Sequence, residues 1–131
     1  MTRRRRIVRA ALVAGTLSGL PSTLHAWATG GDVLAATRAA GTLLPGRRDR
    51  PSVTAGVVAH GLVTAWWVGV LATADRHRRL GPWRGALAGA GIAALDLGAI
   101  APRRAPAIAD LPQGPQWADH LAFGALVGWH L

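Results

Sequence analysis

Three histidines and two aspartates stand inside or beside the apolar stretches of this sequence: His25, His60, Asp96 and the adjacent pair Asp119 and His120. Ser18, Ser22 and Thr23 lead up to His25 in the run SGLPSTLHAW. A histidine that faces a carboxylate can hold and release a proton near neutral pH, and hydroxyls beside it add donors and acceptors for a small polar solute. His25, His60, Asp96, Asp119, His120 and Ser22 are therefore the candidate residues of a ligand or proton pocket.

Other chemistries find less support in the spacing. Histidine and aspartate suit zinc, but no HxxxH or HxxE pattern is present, so no metal ligands are assigned. Ser18 or Ser22 can be drawn into a triad with a histidine and Asp96, as in almost any chain with such residues. There is no G-x-S-x-G, no phosphate loop and no pair of acids arranged for hydrolysis. No catalytic residue and no cofactor is expected, and the chain reads as a non-enzyme.

The elements that must carry these residues are apolar. Half of the 131 residues are hydrophobic and 16% are charged, below the roughly 25% charged that is usual for soluble domains. Residues 52–74 run without a formal charge, which exceeds the ~20 residues needed to cross a hydrocarbon core of ~30 Å. Four spans are expected, at about residues 7–26, 52–74, 85–101 and 117–131. The fourth is placed after Pro112, Gly114 and Pro115, on the ground that a continuous helix through them is disfavoured.

Between the first two spans, Asp32 is a candidate N-cap and Pro45-Gly46 a stop. Residues 32–44 are expected to form a short interfacial helix, with a re-entrant hairpin as the alternative. The fold class is thus all-α membrane, one domain over residues 1–131, with four transmembrane helices plus the interfacial one.

The net charge of +9 would suit nucleic acid, but the arginines gather at the ends of the apolar blocks, where anionic head groups of a lipid bilayer fit better. No nucleic-acid partner is expected. With the N-terminus inside, Arg3 to Arg6, Arg9, Arg76, Arg78, Arg79 and Arg84 lie on the cytoplasmic side. Arg38, Arg47, Arg48, Arg50, Arg103 and Arg104 lie outside. This positive-inside bias puts both termini in the cytoplasm. Trp27, Trp117, Trp83 and Trp129 fall at predicted span ends, whereas Trp66 and Trp67 lie deeper and are expected to serve packing or a cavity. Residues 1–28 also fit a cleavable secretory signal ending at Ala26-Trp27-Ala28, although tryptophan is unusual in that triplet. Cysteine is absent, so disulfide and thiolate chemistry are excluded.

In that topology the ionisable groups share a level. His60 lies about 12 Å of helix below the outer start of the second span; Asp96 and the Asp119-His120 pair approach from the same side. An unpaired charge at bilayer depth costs about 2.5–3.5 kcal/mol. Asp96 is therefore expected to accept from His60 or His25, with Pro21 loosening the first helix nearby. Small-xxx-small pairs (Gly15 with Gly19, Gly85 with Gly89, Gly124 with Gly128) and the row Gly61, Ala65, Gly69 offer close helix approach. Glycine-lined faces would also suit a homo-oligomer or another membrane-protein partner.

The segments SGLPSTLHA (18–26), LAATRAAGTLL (34–44), VAHGLVTAWWVGVLA (58–72) and WADHLAFGALVG (117–128) together resemble small uncharacterised integral membrane proteins of high-GC, actinobacterial-type bacteria. The resemblance implies a compact helical protein of the bacterial cytoplasmic (inner) membrane and carries no activity or site residue with it. The expected role is that of a structural or accessory membrane component. The alternative is a small transporter or proton-coupled binding protein with an outward-facing polar pocket.

Overall fold

A computed structural model describes residues 1–131. Every regular element is helical. The Thr2 hydroxyl accepts the Arg5 N–H and caps α1 (Arg3–Leu17). A short break at Ser18 and Gly19 separates α1 from α2 (Leu20–Ala28), so the first predicted span is two helices end to end. The expected interfacial helix is shorter than residues 32–44: α3 covers Ala35–Ala40 and a 3₁₀ turn covers Gly41–Leu43. Asp32 lies before it, its carboxylate accepting the Leu34 N–H at 2.9 Å and pairing with Arg38.

Ser52 caps α4 (Val53–His77), the longest helix. A tight turn follows, closed by Asp75 accepting the Leu80 N–H at 2.9 Å and by Gly81 at φ +59°, a conformation that glycine adopts without strain. The third span is α5 (Gly81–Leu95), a π-helical turn (Asp96–Ile100) and α6 (Ala101–Arg104); α7 (Pro106–Ala109) links it to α8 (Gln113–His130). The expectation that Pro112, Gly114 and Pro115 would delay this helix to Trp117 is corrected here. Pro112 is its N-cap residue and Pro115 falls in its first turn, where a missing N–H costs nothing because that group has no intrahelical partner.

Three stretches are long and apolar enough to cross a membrane: Arg3–Ala28, Val53–His77 and Gly81–Arg104. Of the four spans expected, these three have the required length and hydropathy, and α8 does not. At 18 residues, α8 spans only about 27 Å, and Gln113, Gln116, Asp119 and His120 reduce its apolar character.

The helices run up and down. Arg3 donates to the Ala72 carbonyl at 2.7 Å and Arg6 to the Leu131 carbonyl, which brings the start of α1, the end of α4 and the end of α8 together. At the other end, α3 packs on the first turns of α4, where a Cβ on Gly56 would strike the Thr37 carbonyl. The hub is α8, which packs along α5 and against α1 and α2. The core is Ala10 and Ala14 from α1, Val68, Leu71 and Ala72 from α4, Ile92 from α5, Phe123 and Val127 from α8, and Leu131 just past its end.

Two of the glycine pairs explain the closest crossing. A Cβ on Gly85 would collide with the Gly124 carbonyl, one on Gly89 with the His120 carbonyl, and one on Gly128 with the Gly81 carbonyl. Backbone thus meets backbone between α5 and α8, the contact that small residues permit in lipid. Gly19, Gly61 and Gly69 meet nothing, and Gly15 touches only the Thr64 side chain. Trp67 packs against the core, but Trp66 does not serve packing as expected: it is 68% exposed.

Candidate functional site

The break in the first helix creates the site. Pro21 has no N–H to offer the Leu17 carbonyl. The Ser22 N–H, which an unbroken helix would direct to Ser18, is accepted by the Asp119 carboxylate at 2.9 Å. Asp119 of α8 therefore caps α2 from outside, supplying the acceptor that Gly19 at the cap position lacks. The Ser22 hydroxyl donates back to the Gly19 carbonyl at 3.2 Å, and Ser18 and Ser22 are both buried.

One residue further along α8, His120 faces Asp96, which opens the π-helical turn after α5. The His120 Nε2 to Asp96 Oδ2 separation is 3.5 Å, and both side chains are 22% exposed. The opposite ring nitrogen, Nδ1, lies 2.8 Å from the Gln116 carbonyl. A carbonyl oxygen only accepts, so Nδ1 carries the proton. The Nε2 nitrogen is thus the one turned to the Asp96 carboxyl, at a separation longer than an ordinary hydrogen bond.

The other predicted residues take different places. His60 makes neither of the expected contacts with Asp96; its Nε2 donates to the Gly15 carbonyl at 2.8 Å, in the last turn of α1 before the break. His25 lies exposed on α2 with no side-chain hydrogen bond. The carboxylate partner expected for Asp96 was the wrong histidine, because a count of residues gives depth along a helix and not the direction a side chain leaves it. The structure gathers Ser22, Asp96, Asp119 and His120 around α8, with His60 bonded to the α1 end of the break and His25 outside.

Gln116 escaped the sequence reading. It is buried and its carbonyl fixes the His120 tautomer. Its signal was the i, i+4 spacing to His120, which places a carbonyl within reach of that ring. The π-helical turn at Asp96 left no mark in the sequence beyond the aspartate itself.

No three histidine or acidic side chains converge as metal ligands. Compared with protein-family models, with curated proteins and with solved structures, the chain matches none. Its chemistry is therefore read from geometry alone. The site combines a helix break, a π-helical turn and an ionisable pair, and π-helical turns recur at functional sites because they re-aim one side chain and free one carbonyl. Broken helices at bilayer depth are tolerated where the loosened backbone is covered by protein; here Asp119 provides that cover.

Proposed function

We propose that this chain is a small multi-pass membrane protein that takes up and releases one proton at Asp96 and His120, in the manner of a small proton-coupled transporter or binding protein. Within this reading α8 is a fourth membrane-embedded helix, packed against α1, α2 and α5. The short α3 lies in the interface, and the chain threads a bacterial cytoplasmic membrane with both termini inside. The arginine distribution supports that orientation. No covalent catalysis is invoked.

The single observation that carries the reading is the Asp96–His120 pair bridging α5 and α8 at the start of the π-helical turn. Ionisable pairs at bilayer depth mark proton relays and ion pathways. A purely mechanical clasp between two helices needs no titratable partners, since a neutral amide serves. The nearby α1–α2 break is held, through the Ser22 N–H, by Asp119, next along α8 to His120.

The test is the imidazole ¹⁵N signal of His120 in the full chain, reconstituted in lipid nanodiscs and followed between about pH 5 and 8. A midpoint that moves by about one pH unit or more in Asp96→Asn supports a shared proton. An unchanged midpoint would sink it and leave the chain as an accessory component whose polar groups only pack.

A further inference from the structure

We infer that the turn between α4 and α5, with the end of α8, forms a seat for the phosphate of an anionic phospholipid. An open hollow of about 490 Å³ lies at that end of the bundle, bordered by Arg79, Arg84, Trp83 and Trp129. The guanidinium of Arg79 donates to no protein group. Arg84 uses one N–H on the Arg79 carbonyl at 3.1 Å and keeps four free. The one acidic side chain at the hollow, Asp75, makes no ion pair with either arginine and spends an oxygen on the Leu80 N–H. Arg76 and Arg78 beside the same turn add positive charge.

Two uncommitted guanidinium groups around a hollow match the oxygen geometry of a phosphate. What selects a lipid over free phosphate is the pair of indoles. Trp83 is 74% exposed and Trp129 72% exposed, one on α5 and one on α8, flanking the arginines. Exposed tryptophans at helix ends sit at head-group level in a bilayer, apolar ring toward the chains and N–H toward the polar layer. A headgroup between them would have its phosphate on Arg79 and Arg84 and its acyl chains along α5 and α8. The inference depends on the chain lying in a membrane, not on the proton chemistry of Asp96.

The experiment measures the thermal stability of the detergent-solubilised full chain with added phosphatidylglycerol, phosphatidylcholine or inorganic phosphate. Phosphatidylglycerol is expected to raise Tm at concentrations where the other two do nothing. The double variant Arg79→Ala, Arg84→Ala is expected to need about thirtyfold more phosphatidylglycerol for the same shift. Its Tm without lipid reports whether it folds, and Arg79→Lys, Arg84→Lys, which keeps the charge but not the planar fork, is expected to restore part of the response. Arg47→Ala, Arg48→Ala, two arginines removed at the opposite end, is expected to respond as the unaltered chain does. Equal loss in that control, or an equal response to phosphatidylcholine, overturns the site; an equal response to inorganic phosphate overturns the lipid as its occupant.

Discussion

The Asp119 carboxylate and the Ser22 backbone N–H, on helices far apart in sequence, meet at 2.9 Å across the break in the first helix. The bond uses the backbone of Ser22, so the serine side chain is replaceable where the aspartate is not. Asp119→Ala is expected to destabilise the chain by about 1–2 kcal/mol by stripping α2 of its cap. Asp119→Asn keeps an acceptor oxygen and should lose less, and Ser22→Ala less than Asp119→Ala. Denaturant unfolding in micelles, followed by tryptophan fluorescence, ranks the three; a costlier Ser22→Ala would refute the assignment.

Asp96→Asn separates proton handling from packing. In proteoliposomes carrying an internal pH dye, an imposed pH gradient is expected to collapse faster with the unaltered chain than with empty vesicles. With Asp96→Asn or His120→Gln the rate should fall to the empty-vesicle level while Tm changes little. Loss of Tm with no difference in flux would assign the pair to packing.

The α5–α8 crossing predicts opposite outcomes for the same substitution. Gly124→Ala and Gly85→Ala press a methyl into a facing carbonyl and should cost about 1–3 kcal/mol as the helices are forced apart. Gly61→Ala and Gly69→Ala, with open space around them, should be neutral or gain up to about 1 kcal/mol from helix propensity. Equal effects at all four positions would contradict the crossing.

Because the chain has no cysteine, single cysteines report sidedness without background. Probes at the exposed positions Gly30, Gly46 and Asp110 are expected to label from one face of the membrane, and probes at the exposed positions Thr2 and His77 from the other. Labelling of Gly30 and His77 from the same face would break the up-and-down threading.

The helices were legible wherever length and hydropathy decide: residues 52–74 become Val53–His77, and residues 7–26 lie within Arg3–Ala28. The start of α8 was misread because proline was treated as a breaker, although in a first turn it removes no hydrogen bond. Partners were harder to read than elements. A helix apolar on every side gives no pattern from which to tell its inward face, so depth alone pointed to His60 or His25 for Asp96, where the structure places His120. The glycine pairs were visible, yet only their geometry separates Gly85, Gly89, Gly124 and Gly128, where backbones touch, from Gly61 and Gly69, where nothing does.

Each helix that α8 packs against precedes it along the chain. During synthesis the alanine face of α1 and the glycine face of α5 therefore leave the ribosome before the segment that will cover them. Until residues 113–130 arrive, those faces lack the helix that covers them in the folded chain. A nascent chain stalled before that point would carry three greasy rods and no keystone, which makes synthesis of residues 113–130 the step that lets the α1 and α5 faces close.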